Sequence, residues 1–126
     1  MKLRMHGDSL RLRLSPEEIS QLATEGRLAD AVHIGSGDLS ALAYELISSA
    51  DHRAVDVELG AGLISVYVPA DEVADWTGTD RVGIEAVVAN TTDGLRVVLE
   101  KDWQCLTPRV GEDEAHLYPN PLAPDQ

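Results

Sequence analysis

Short stretches in which apolar and polar residues alternate with period two run along most of the chain, and they restrict it to a fold built mainly from strands with one buried face. The first two, residues 2–6 and 10–14, flank Gly7-Asp8-Ser9 and place Leu3 and Met5, then Leu10, Leu12 and Leu14, on the apolar phase. They predict a β-hairpin. Side chains at i and i+2 share one side of a strand, so the other face of this ribbon presents Lys2, Arg4, His6, Arg11 and Arg13.

The same alternation predicts strands at 54–59 and 63–68, joined through Gly60-Ala61-Gly62, and at 81–89 and 95–101 around Asn90-Thr91-Thr92-Asp93-Gly94. Val87 and Val98 lie off the apolar phase of this last hairpin, which predicts cover on both faces and a central place in its sheet. Weaker strand signals lie at 28–34 and 40–48, separated by Gly35-Ser36-Gly37-Asp38. In the second of these, helix-favouring residues compete with the alternation of Leu42, Tyr44 and Leu46. The next strand follows too closely for a βαβ crossover, so a strand is expected.

Two helices interrupt the strands. Ser15-Pro16-Glu17-Glu18 combines a capping serine, a proline suited to the first helical position and a glutamate placed for a capping box, and Gly26 can close the helix. A shorter helix is expected after Pro69, with Asp71 as its cap, Val73 and Trp76 on one surface and Gly78 at its end. The expected architecture is a single α+β domain over 1–126. Its sheet is curved and mostly antiparallel or barrel-like, with about six to eight strands. Residues 104–126, which hold four of the six prolines, read as an irregular C-terminal segment. No internal repeat is evident.

A chain of 126 residues that is 44% hydrophobic and 25% charged can bury roughly two-thirds of its unfolded surface without a metal or a disulfide. Phe is absent, so Leu, Val, Ile and Ala fill the core around Trp76, Trp103, Tyr44 and Tyr67. Cys105 is the single cysteine, which excludes an intrachain disulfide and a cysteine-rich zinc site and favours a reducing, cytoplasmic setting. Neither a signal peptide nor a membrane span is expected. The net charge of −12 opposes nucleic acid as a partner. It is unevenly spread, because residues 1–14 carry Lys2, Arg4, Arg11 and Arg13 against Asp8.

That basic ribbon, Lys2, Arg4, Arg11 and Arg13, is the candidate anion-binding site for phosphate or carboxylate. The plainer reading is that Asp56, Glu58, Glu85 and Glu100, on the polar phase of other strands, pair with it across an exposed sheet face. Turned inward in a barrel, the same charges would resemble the triphosphate tunnel enzymes, but the paired glutamates and following lysine of their first strand are absent from Lys2-Leu3-Arg4-Met5-His6. Cys105 near Lys101 and Arg109 is a candidate thiolate, and more often such a residue is a small buried hydrophobe. Glu112, Asp113, Glu114 and His116 form a cluster that matches no metal-binding loop and reads as a solvated acidic turn. His33 and His52 have no partner in sequence. No phosphate loop, nucleophile elbow or zinc-binding HExxH occurs, so neither a metal nor a cofactor is implied.

Lys2-Leu3-Arg4, Gly7 and Ser9-Leu10-Arg11-Leu12-Arg13-Leu14, together with Glu100-Lys101-Asp102-Trp103-Gln104-Cys105-Leu106, Arg109, Glu112-Asp113 and Pro119-Asn120-Pro121, resemble a family of small uncharacterised bacterial proteins, a domain of unknown function. The resemblance covers about a third of the chain and carries no assigned activity. It implies that Glu100 to Pro121 is more than a frayed tail, with Lys101, Asp102, Arg109, Glu112 and Asp113 forming a polar cluster over the end of the sheet. The function expected is a non-enzymatic binding or interaction module, bacterial and cytoplasmic. It would take an unknown protein or a small anionic ligand, with no nucleic acid and no membrane, as a monomer or homodimer. The alternative is a phosphate- or nucleotide-handling enzyme that uses the basic ribbon, with Glu85 or Glu100 holding a metal.

Overall fold

The computed structural model describes residues 1–37, 40–89 and 93–102. In chain order it comprises β1 (Lys2–Met5), β2 (Ser9–Leu14), α1 (Pro16–Glu25), β3 (Arg27–His33), β4 (Ala41–Ser49), β5 (Asp56–Gly60), β6 (Leu63–Pro69), α2 (Ala70–Gly78), β7 (Gly83–Val88) and β8 (Leu95–Lys101). The fold is α+β, and both expected helices are present. The strands form two open four-stranded sheets, ordered β1-β2-β8-β7 and β3-β4-β6-β5, rather than one closed barrel. Each sheet is mixed: its two outer pairings are antiparallel, and its central pairing, β2 with β8 or β4 with β6, is parallel.

The start of α1 follows directly from its sequence. Ser15 Oγ accepts from the Glu18 N–H, Glu18 returns a carboxylate to the Ser15 N–H at 2.9 Å, and Pro16 occupies the first turn. Gly26 ends the helix in the left-handed region at φ 76°. The second helix differs from expectation: Pro69 holds the cap position with no side-chain cap, and Asp71 lies inside the first turn. The ambiguous segment is a strand, β4, because it is clamped between β3 and β6, and that pairing outweighs its helical propensity.

The sequence shows no repeat, yet the topology repeats. Hairpin, helix and hairpin, β1-β2-α1-β3-β4, is followed by β5-β6-α2-β7-β8, and each sheet takes one hairpin from each half. The register repeats too. In one sheet Leu3, Leu12, Leu99 and Ile84 stand side by side; in the other Val57, Val66, Leu46 and Leu28 do the same. Leu14 and Val68, at equivalent places before the helices, are fully buried, as are Leu22 and Trp76 eight residues further on. These rows and both helices share a single core. Trp76, with its indole N–H donated to the Val82 carbonyl at 3.1 Å, and Tyr44 are core anchors. Tyr67 instead stands on an outer face, and Trp103 lies outside the described residues. Of the last hairpin, β8 is central, as expected for a strand buried at Val98, whereas β7 is an edge strand with Val87 exposed.

Two backbone details generate predictions. Ala61 and Gly62 both have positive φ, 51° and 77°, between β5 and β6, the geometry of a type I′ turn that favours Asn-Gly. Ala61→Asn is expected to raise stability by about 0.5–1 kcal/mol in urea unfolding; an unchanged or lower value would contradict the turn assignment. At Gly83 a Cβ would lie 2.5 Å from the Leu99 carbonyl oxygen, backbone that cannot step aside. Gly83→Ala is therefore expected to destabilise by about 1–3 kcal/mol, and an unaltered melting temperature would show that β7 does not approach β8 so closely.

Candidate functional site

The outward side chains of the first sheet follow from its buried row. With Leu3, Leu12, Leu99 and Ile84 facing the core, their strand neighbours Lys2, Arg4, Arg11, Arg13, Val98, Glu100 and Glu85 face out. All four candidate residues of the basic ribbon thus lie on one face. Parallel pairing with β8 adds to them: Ser9 stands beside Arg96, Arg11 beside Val98 and Arg13 beside Glu100.

The face is divided along its length. At the end near the helices, Glu100 receives Arg13 at 3.1 Å and, more distantly, Arg11 at 3.9 Å, while Lys2 Nζ meets Asp102 at 3.2 Å. At the other end an open groove of about 320 Å³ is lined by Arg4, His6, Ser9, Leu10, Arg11, Arg96 and Val98. Arg96 is held by Glu85 at 2.8 Å. Among the described residues no carboxylate lies within 4 Å of Arg4. The groove's rim is fixed by the turn between β1 and β2, where His6 and Ser9 exchange backbone bonds at 3.2 Å and Gly7 adopts a φ of 57°.

The pairing anticipated as the plain alternative is therefore half realised. Glu85 and Glu100 neutralise one part of the basic face, but Asp56 and Glu58 belong to the other sheet. Lys2 and Arg13 are engaged by acids and Arg4 and Arg11 line the groove. Arg96 and His6 join those two there. Arg96 could have been found from its place on the polar phase of 95–101, but its position beside β2 depends on a parallel pairing that local sequence does not encode. Of the closing polar cluster, Lys101 donates to the Thr79 carbonyl at 2.7 Å and Asp102 takes Lys2. Arg109, Glu112, Asp113, Glu114, His116 and Cys105 lie outside the described residues.

The outer face of the second sheet has the opposite sign at two equivalent positions: Asp56 stands where the first sheet has Lys2, and Glu58 where it has Arg4. Glu45 is buried there. Its Oε2 accepts from Ser65 at 2.7 Å, and its Oε1 takes Arg27 at 2.8 Å. The Ser65 hydrogen bond is the largest influence on its carboxyl; together with Arg27 it outweighs burial and holds the pKa below the ordinary 4.5. Nearby, Tyr67 donates to Glu58 at 3.1 Å and stacks on His52 with ring centroids 4.6 Å apart. His52 has partners after all: its Nδ1 bonds Ser49 Oγ at 2.7 Å and its Nε2 lies 4.0 Å from Asp56. Ser49 Oγ also accepts the Asp51 N–H at 3.2 Å, so this constellation ties down the connection between β4 and β5.

These features define an α+β domain of two open mixed sheets with a basic groove on one outer face. The profile of the family of unknown function DUF7009 matches residues 1–122, and the chain belongs to that family. No curated protein and no solved structure matches it. Among the described residues, no helix is long and apolar enough to cross a membrane.

The Ser65–Glu45 bond is testable by acid titration. A carboxylate with a lowered folded pKa adds stability above its unfolded value and loses it as pH falls through the folded one. Ser65→Ala is expected to lower unfolding free energy by about 1.5–3 kcal/mol at pH 7, with the gap to the wild type closing as pH falls below 4.5. A gap that persists unchanged in acid would place the cost elsewhere.

Proposed function

We propose that the protein is a non-enzymatic binding module, bacterial and cytoplasmic, that takes an anionic partner in the groove of its first sheet. One observation carries this reading: the groove gathers the Arg4, Arg11 and Arg96 guanidiniums and His6 around the apolar Val98, with no carboxylate within 4 Å of Arg4 among the described residues. Guanidinium is the cation best suited to bidentate capture of phosphate or carboxylate, and a ligand that bridges two of them gains orientation as well as charge. The net charge of −12 makes the groove a local exception in a repulsive field, so it selects ligands by short-range contacts rather than by steering. A cytoplasmic setting is supported by the single cysteine. The enzymatic alternative has less support, because Glu85 and Glu100, its candidate metal holders, are occupied by arginines.

Inorganic tripolyphosphate is the probe. At a hundred times its dissociation constant a ligand adds about 2.7 kcal/mol to stability, so saturating tripolyphosphate is expected to raise the melting temperature. Arg4→Ala with Arg11→Ala is expected to abolish the shift while changing the ligand-free melt little, whereas Lys2→Ala keeps it. A shift that survives the double change would move the site off this face.

A further inference from the structure

We propose that Ser49 is an activated nucleophile that accepts the acyl group of a small activated ester, with His52 as its base. The site belongs to the second sheet, away from the groove, and stands or falls independently of the anion-binding reading. The parallel pairing of β4 with β6 ends with Ser49 beside Pro69, so the strand delivers the half-buried serine to the start of α2. An open cavity of about 390 Å³ there is lined by Ser49, Ala50, His52, Arg53, Ala70 and Asp71, room for a small ligand.

Three groups stand in the order that activates a hydroxyl. Ser49 Oγ and His52 Nδ1 lie 2.7 Å apart, and Asp56 Oδ2 faces the other ring nitrogen, Nε2, at 4.0 Å. The Asp56 carboxylate favours the tautomer with its proton on Nε2, which leaves Nδ1 to accept the Ser49 hydroxyl proton. The carboxylate's own direction is set, because its Oδ1 accepts the Val57 N–H at 2.9 Å. The imidazole plane is set as well: Tyr67 stacks on it at 7°, with ring centroids 4.6 Å apart, and donates its hydroxyl to Glu58 at 3.1 Å. The Asp51 N–H, 3.2 Å from Ser49 Oγ, occupies a lone pair of that oxygen and leaves its proton for the ring.

The step balances without a further reactant. Ser49 Oγ attacks the acyl carbon while His52 Nδ1 takes its proton. The tetrahedral oxyanion then collapses, the bond from the acyl carbon to the leaving oxygen breaks, and the imidazolium returns the proton to that oxygen. The products are O-acylated Ser49 and the free alcohol, with His52 neutral again. Positive charge for the oxyanion is found in the same cavity, in Arg53 and in the first turn of α2, whose leading N–H groups have no partner within the helix. The Asp71 carboxylate, also at this cavity, accepts the Glu72 N–H at 2.9 Å.

The test treats the full chain with p-nitrophenyl acetate and maps the acetyl group by tandem mass spectrometry. Acetylation of Ser49 with a single-equivalent burst of nitrophenol is expected. Ser9 in the same molecule should stay unmodified, because its hydroxyl donates to the His6 carbonyl at 2.6 Å rather than to an imidazole. Ser49→Ala is expected to abolish the burst, and His52→Gln to slow it about a hundredfold. Label confined to Cys105, the lysines or the amino terminus would overturn the proposal, as would equal labelling of Ser49 and Ser9, a comparison that needs no variant to fold. A burst that His52→Gln leaves unchanged would overturn it too. Nitrophenol release that continues past one equivalent, with Ser49 acetylated in passing, would uphold the nucleophile and end the non-enzymatic reading above.

Discussion

The parallel pairing of β2 with β8 is the constraint on which the rest of the molecule depends. It joins the beginning of the chain to its last described strand, sets Leu12 beside Leu99 in the core, and in the same register sets Arg11 beside Val98 and Arg13 beside Glu100 outside. A shift of one residue would turn the leucines out and the arginines in. Core packing and the charged face are thus fixed by one register.

The second sheet repeats this construction through β4 and β6, with the two helices and both inner faces sharing one core. Equivalent core positions keep their apolar character, while the outer positions diverge: Lys2 and Arg4 correspond to Asp56 and Glu58, and Arg11 and Arg13 to Ser65 and Tyr67. The interior answers to volume and exclusion of water, which both halves need alike. The outer faces are free to diverge because exposed charges contribute little to stability. A positive face and a negative face on one scaffold result.

Much of the fold was legible in the sequence, because period-two alternation, the Ser15 to Glu18 capping box and the Gly60-Ala61-Gly62 turn act locally. Even the ambiguous strand at Leu42, Tyr44 and Leu46 followed from the spacing to its successor. The division into two open sheets was not legible, since it depends on which distant strands pair, and period-two patterns are the same in either case. For the candidate site the same limit applies. Lys2, Arg4, Arg11 and Arg13 could be placed on one face from the first hairpin alone, but their separation into an acid-paired end and an open groove is decided by Glu100, Arg96 and Asp102 from the other end of the chain. His52 was unreadable for a different reason: its contacts with Ser49 and Tyr67 need the connection after β4 to fold back over β6.

The most direct measurement is the pattern of interstrand proton contacts between β2 and β8 in solution by NMR. The structure predicts contacts of a parallel ladder, with Leu10 near Val97, Leu12 near Leu99 and Leu14 near Lys101. Contacts that run in the opposite order, or that pair β2 with any strand other than β1 and β8, would dismantle the basic face and the account built on it.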